Sequence, residues 1–496
     1  MWCFKNFVFL CLWMGWGTVC PAAFFPELSG RVISEGRGVE GVAVTDGYTV
    51  VRTDARGRYR LPGNTAAEFV YITLPAGYEV PLKDEVPCFF RRINKAAKKQ
   101  KFDFYLQKSG RNDDRHVVVV AADPQVYFDE ELPALQKIAD DMQSWVAGKY
   151  GEIPVYGMVA GDVIGDIQRN PGCFGAVKHI LYHTRIPFFY VAGNHDLDRG
   201  GRSNERSRTM YAAHFGPAYY SFNRGRVHYI VLDGVFALGK DYLYTGYLAE
   251  RQLEWLEQDL ALVPEGSPVV VLTHIPTYSR EARSGNYAKE RTSQVINNRA
   301  HLYDLLKSYR VQILSGHTHY HENYVIADNL YEHVHASLCG LFWQAPWCGD
   351  GTPIGYTVYE MDGDSISWYF KPVGDDRSYQ FRAYAAGEND LKPEALTVNV
   401  WNYDPSWKIY WYEDGERMGE MERYTGIDPV IDSYVVSHRK GFKYDYIGAE
   451  PTEHLFFAIP RSAGAAIRVE ATDRFGNVYS GTPRKVEEWL NDQSVR

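Results

Sequence analysis

Five apolar runs in the middle of the chain each stop at a carboxylate, an amide or an imidazole, and this pattern constrains the fold more than any other feature. Residues 117–122 (VVVVAA) run into Asp123-Pro124-Gln125. Residues 155–160 run into Gly161-Asp162, with Asp166 four positions later. Residues 188–192 lead to Gly193-Asn194-His195-Asp196, residues 269–273 to His274, and residues 311–314 to Ser315-Gly316-His317-Thr318-His319. A short, continuous apolar run reads as a strand buried on both faces. Residues 227–232 form a further candidate. Between the runs the spacing turns helical, as with Leu132, Leu135, Ile138, Met142 and Trp145 within 130–146, and helices are also expected over 249–262 and 299–309. Alternating strands and helices predict a layered α/β domain. In such sheets, sites form just beyond the carboxyl ends of strands, so these side chains are expected on one rim.

The residue types have a shared chemistry. Two divalent cations held close together need a carboxylate between them to offset their repulsion. Such a pair holds a hydroxide as nucleophile and clamps an in-line displacement at phosphorus. Mixed oxygen and nitrogen donors suit Mn, Fe or Zn better than Mg or Ca alone. Gly161, Gly193 and Gly316 are expected to let the backbone turn sharply before each functional side chain. Any one of these residues alone would read as a turn, a helix cap or a satisfied polar group; their recurrence together is what points to a site.

In this order, D-x-[HQ], G-D-x3-D, G-N-H-D, a strand-end His and G-H-T-H resemble the motifs of the calcineurin-like metallophosphoesterases over residues 113–372. The resemblance implies a four-layer α/β/β/α domain and hydrolysis of a phosphate ester by a hydroxide bridging two divalent transition metal ions. It implies that Asp123, Gln125, Asp162 and His319 hold the first metal and that Asp162, Asn194, His274 and His317 hold the second, Asp162 bridging. His195 would be the acid near the phosphoryl group, and Asp166 and Asp196 would orient ligands or His195. Two positions depart from the family pattern. Gln125 stands where a histidine is usual, as in members with a D-P-Q sequence, and no arginine follows the G-D motif. Arg199, Arg202 or Arg169 could contact phosphate instead, or lie in a solvated loop. Trp343, Trp347 and Tyr356, on the loop after the G-H-T-H strand, either form a substrate wall or pack against the C-terminal region.

The flanks read differently. Residues 24–108 alternate β-branched stretches with Gly, Asp and Pro turns and resemble prealbumin-like β-sandwich modules; they contain no cluster that suggests chemistry. Residues 375–496 are Tyr- and Trp-rich and predict a C-terminal β-rich domain. Lys5, an apolar run over 7–19 and small Ala22 and Ala23 have the layout of a signal peptide over 1–23, which implies a periplasmic or extracellular protein. Cys20 admits a lipid-anchored alternative. No later segment is apolar enough to predict a transmembrane span. Export permits a Cys339–Cys348 disulfide, and four unpaired buried thiols, with Cys88 and Cys173, are the equal alternative. The formal net charge of −9 argues against a nucleic-acid partner. The substrate is expected to be a phosphate ester. The rival readings are a phosphoprotein phosphatase and a non-catalytic protein that binds a glycan or surface polymer. His228, His333 and His335 read as structural, and His321 has no assignable place.

Overall fold

Alternate residues of the Arg115–Ala121 strand enter two different cores: Val118 and Val120 one, Val117, Val119 and Ala121 the other. Side chains on a strand point to opposite faces in turn, so a run apolar at every position must be covered on both sides. The computed structural model describes residues 27–240, 243–280, 291–462 and 464–493. The expected signal peptide, residues 1–23, lies outside the described residues.

Two sheets build the central domain. The first has the order Phe188–Tyr190, Val155–Val159, Arg115–Ala121, Gly355–Asp362, Ser365–Pro372, the first three parallel and the last two antiparallel. The second has the order Tyr220–Arg224, Val227–Val231, Pro268–Leu272, Arg310–Ser315, Leu330–Val334, Glu322–Ala327, with four parallel strands between antiparallel edges. Helices Leu132–Tyr150 and Cys173–His183 cover the outer face of the first sheet through Leu135, Ile138, Met142, Val177 and Leu181. Helices Glu250–Leu260 and Arg299–Leu306 cover the second through Leu253, Leu256, Leu302 and Leu306. The inner faces meet through Val118, Met158, Phe189, Tyr229, Val270 and Leu272. Each such side chain contributes about 1.5–3 kcal/mol when fully buried. The layers are helix, sheet, sheet, helix, as expected.

Several elements were not expected from the sequence, among them helix Cys173–His183 and strands Tyr220–Arg224, Glu322–Ala327 and Leu330–Val334. Helix Cys173–His183 buries Cys173, Phe174, Val177, Ile180 and Leu181, a helical spacing that follows directly after Pro171 and Gly172. The strand pair Gly355–Asp362 and Ser365–Pro372 returns the chain to the first sheet beside Arg115–Ala121.

The N-terminal region forms a five-stranded sheet around Glu27–Ser34 and a four-stranded sheet around Ala43–Thr45. Its core, with Leu28, Val44, Leu61, Phe69 and Phe89, is continuous with the core between the central sheets. The C-terminal region pairs two four-stranded sheets over Leu396, Val398, Trp407, Ile409, Trp411 and Val469. Helix Pro429–His438 projects from it, started by Pro429 in the first turn and by Asp428, whose side chain accepts from the Val430 and Ile431 amides at 3.0 and 3.1 Å. This helix reaches the central domain, where Tyr434 packs on Trp347 and donates to the Gln344 carbonyl at 3.1 Å.

Candidate metal centre

Asp123, Gln125, Asp162, His317 and His319 all have left-handed backbones, with φ of 48°, 43°, 46°, 73° and 62°. Non-glycine residues seldom adopt this region, and such outliers concentrate at functional sites. Here the turn that ends each strand swings its side chain back over the strand ends. The nearby glycines serve two different needs. Gly161 is left-handed at φ 88°, as a sharp turn requires. Gly193 and Gly316 are needed for closeness: a Cβ on them would stand 2.1 Å from Asp162 Oδ1 and 2.3 Å from Asp123 Oδ2. The expected sharp turn is seen at Gly161, where a Cβ would also stand 2.4 Å from His274 Nδ1, so closeness matters at all three glycines.

Each imidazole turns one nitrogen outward to a carbonyl or thiol and the other inward. His274 Nδ1 donates to the Ala160 carbonyl at 2.8 Å, which leaves Nε2 facing Asp162 Oδ2 at 3.3 Å and Asn194 Oδ1 at 3.0 Å. His317 Nε2 donates to the Ser293 carbonyl at 3.0 Å, and its Nδ1 faces His274 Nε2 at 3.2 Å. His319 Nε2 lies 3.5 Å from Asp123 Oδ1, with Nδ1 3.8 Å from the Cys339 thiol. His195 Nδ1 donates to the Gly165 carbonyl at 2.6 Å, and its amide donates to Asp162 Oδ1 at 2.8 Å. One ligand atom each from Asp162, His274 and His317 lies within 4.8 Å of the others. Carbonyl partners of this kind fix the tautomer and direction of a metal-binding imidazole.

The donor set fits cations. Asp123 and Asp162 are 0% and 1% exposed, and among the described residues their ion-pair partners are imidazoles, with no lysine or arginine. Buried carboxylates of this kind call for positive charge. Burial opposes a charge on His274, yet Asp162 and Asp123 outweigh it and hold the imidazole at about 9. Burial and the neighbouring His274 push His317 down to about 3. Burial would raise Asp162, but His274 and His195 hold it below the usual carboxylate range. Asp196, buried and close to Asp162, is pushed up to about 7. It accepts from the amides of Gly193, Val163 and Ile164 at 2.9, 3.2 and 3.2 Å, and so ties the Asp162 turn to the Asn194 turn.

The remaining candidates separate. Gln125 lines the cavity, 3.7 Å from the Cys339 thiol through Oε1. Asp166, expected to orient ligands or His195, is engaged by Arg199 at 2.8 Å and Arg169 at 3.2 Å. Tyr356 does not reach the cavity: its strand turns it toward helix Leu132–Tyr150, where its hydroxyl donates to Asp141 at 2.8 Å. Arg202 is exposed on a left-handed turn and stands off the cavity wall. Trp343 donates to the Gln125 carbonyl at 3.3 Å, and it is its neighbour Phe342 that lines the cavity. Trp347, 2% exposed, packs the C-terminal contact. Cys339 and Cys348 are free thiols, the first turned to His319 and the second to Ser337. His228 pairs with Asp259, His333 with Asn323 and Gln312, and His335 with Tyr359, all as structural groups; His321 meets Asn402 at 3.2 Å.

The cavity in front of the ligand rim holds about 660 Å³ and takes wall residues from the C-terminal region, among them Tyr446, Ile447 and Glu450. Sequence reasoning missed these, together with Tyr244, Cys339, and the carbonyls of Ala160, Gly165 and Ser293. Carbonyls leave no trace in a sequence, whereas a cysteine in the loop after strand Leu330–Val334 was a visible signal.

A doubly covered pair of sheets brings carboxylates and imidazoles together at its strand ends, a donor set suited to divalent cations. Family models match along most of the chain: calcineurin-like phosphoesterase over residues 108–321, the N terminal of calcineurin-like phosphoesterase over 26–109, and the C terminal of calcineurin-like phosphoesterase over 332–479. The chain belongs to the calcineurin-like phosphoesterases. It is similar to purple acid phosphatase 15 of Arabidopsis thaliana, 29% identical over 46% of this chain and 38% of that one. It is also similar to purple acid phosphatase 13 of the same plant, 33% identical over 26% of this chain and 23% of that one. The match thus spans less than half the length of these curated relatives. Among solved structures, a dimetal phosphatase from Danio rerio is 15% identical, with a TM-score of 0.38, over 53% of this chain and 97% of that one. The purple acid phosphatase PPD1 of Lupinus luteus is 14% identical, with a TM-score of 0.39, over 68% of each chain.

Proposed function

We propose that the chain is an exported phosphoesterase that works with two transition metal ions, Mn, Fe or Zn, held by the residues of the strand-end rim. Asp123, Gln125, Asp162 and His319 would hold one, and Asp162, Asn194, His274 and His317 the other. When bound, such ions supply a nucleophilic hydroxide and offset the charge on the phosphoryl oxygens. The observation that carries the reading is the convergence of Asp162, His274 and His317 within 4.8 Å, with the Asp123–His319 pair alongside.

The chain's own groups do the rest. Asp162 presents Oδ2 to His274, while its Oδ1 accepts the His195 amide, so the carboxylate is fixed at both oxygens. His195, with Nδ1 held by the Gly165 carbonyl, presents Nε2 to the cavity and can give a proton to the leaving oxygen. Export is supported by the layout of residues 1–23. An extracellular setting favours scavenging of phosphate from nucleotides, sugars, lipids or wall polymers.

The test is hydrolysis of 4-nitrophenyl phosphate and bis(4-nitrophenyl) phosphate before and after exhaustive chelation, with Mn²⁺, Fe²⁺ and Zn²⁺ added back. Loss on chelation and recovery with one of the ions is expected. Full activity in the chelated protein would overturn the mechanism. Inactivity on both esters under every metal would favour the polymer-binding rival. N-terminal sequencing of the protein from a secreting host tests the export signal.

A further inference from the structure

An arc of aromatic side chains borders the ligand rim and takes no part in holding cations or moving a proton. It begins at Tyr127, whose ring lies edge-on to His195 at 6.1 Å, and continues to Tyr444 at 5.9 Å. Tyr444 stacks on Tyr446, with centroids 5.2 Å apart and an 8° angle between the planes. Tyr446 meets Phe342 at 5.1 Å in an edge-to-face contact, and Phe342 lies 5.0 Å from His319. The arc therefore starts beside the proton donor and ends over a metal-binding residue, crossing from the central domain to the C-terminal one and back.

Two features separate this arc from ordinary packing. Phe342 and Trp343 are consecutive non-glycine residues in the left-handed region, with φ of 51° and 63°. That conformation is unfavourable for bulky side chains and persists only where the surroundings enforce it. Here the Trp343 amide donates to the Cys339 carbonyl at 2.6 Å, its indole donates to the Gln125 carbonyl at 3.3 Å, and the Lys443 amide donates to Gln344 at 2.6 Å. The strained turn presents Phe342, an apolar ring, to the cavity. Tyr446, meanwhile, lines the cavity and remains 61% exposed. An aromatic surface held open at a cavity wall has area to give to a ligand.

We propose that this arc is the leaving-group site, and that it selects phosphate esters whose leaving alcohol carries a planar aromatic ring. This rests on the phosphoesterase reading above and adds the substrate class. A planar ring can stack on Tyr446 or meet the edge of Phe342, the two geometries that aromatic pairs favour. A saturated ring of equal size gains only apolar contact.

The experiment compares benzyl phosphate with cyclohexylmethyl phosphate in the full-length, Mn²⁺-supplemented protein. Both are primary alkyl esters, so the reacting centre is matched. Stacking supports a kcat/KM ratio on the order of tenfold or more in favour of the benzyl ester. Tyr446→Ala is expected to bring the ratio close to one, and Tyr446→Phe to keep it. The ratio is internal to each variant, so a loss of folded protein cancels. Calorimetry with benzylphosphonate and cyclohexylmethylphosphonate gives the same comparison without turnover. Equal binding and turnover of the two ring types, a preference for the saturated ring, or a ratio untouched by Tyr446→Ala would overturn the proposal. Failure of the phosphoesterase reading would show separately, as no hydrolysis of either ester.

Discussion

Gly193→Ala is expected to disable the site while leaving the fold in place. A Cβ at Gly193 would stand 2.1 Å from both the amide nitrogen and Oδ1 of Asp162, and 2.8 Å from its Cα. Ordinary contact begins at about 3.4 Å, so the overlap exceeds about an ångström, and two of the three atoms are backbone that cannot rotate away. The turn bearing Asn194 and His195 must then part from the turn bearing Asp162. Overpacking of this size costs about 1–3 kcal/mol. The larger effect is on geometry: the His195 amide loses its 2.8 Å bond to Asp162 Oδ1, and a shift of about 1 Å at a reacting centre can cost ~100-fold in rate. Gly175→Ala is the control. It lies inside helix Cys173–His183 with nothing within 4 Å of the added carbon, and should stabilise by about 0.5–1 kcal/mol. The assay is thermal unfolding, metal content, and kcat/KM on an aryl phosphate for both variants. A Gly193→Ala protein with wild-type metal content and turnover would refute the reasoning, because close approach of the two turns would then be unnecessary.

His195→Asn should lower turnover ~100- to 10,000-fold with metal content kept, whereas Asp162→Asn should lose both; metal analysis beside kinetics separates them. Gln125 offers a weaker donor than an imidazole, so calorimetry should find one loosely held ion of the two in the wild type, and Gln125→His should tighten it and shift the preference toward Zn²⁺. Cys339→Ala removes the thiol beside His319 Nδ1 and should weaken one metal ~10- to 100-fold, with Cys339→Ser retaining more of the affinity; equal affinities in all three would refute it. His116, buried between the central sheets and bonded to the Asp113 carbonyl and the Tyr229 hydroxyl, is pushed down to about 4 by burial. Its unfolded value of about 6.5 is higher, so its contribution is present above pH 6.5 and is lost as pH falls toward 4, at most about 1.4 kcal/mol per pH unit. His116→Gln should flatten the acid limb of a stability-against-pH curve, and an unchanged limb would refute this.

The rim was legible in the sequence and the walls were not, for a physical reason. A strand covered on both faces must be apolar along its length, so a polar side chain at its end stands out. That is why Asp123, Asp162, Asn194, His274, His317 and His319 could be picked out together. Helix Cys173–His183 has apolar residues at helical spacing, but Pro171 and Gly172 just before it are turn formers and no side-chain cap marks its start. The aromatic loop after the G-H-T-H strand could be picked out as a candidate wall, but not which of its rings meets the cavity. Phe342 lines the cavity, whereas Trp343, the second of two successive left-handed residues, donates its indole to the Gln125 carbonyl. Tyr446 arrives from a segment 104 positions further on, carried there by helix Pro429–His438 and its contact with Trp347. Tyr356 has the composition of a wall residue, but its place in a strand beside Arg115–Ala121 turns it toward Asp141 instead. Chemistry that must sit at strand ends is thus written in short motifs, whereas recognition is assembled from loops whose direction is set by backbone strain and by a neighbouring domain. The same contrast implies that metal binding and ring preference can be altered independently: changes at Tyr446 act on which ester is turned over, and changes at Asp162 on whether any is.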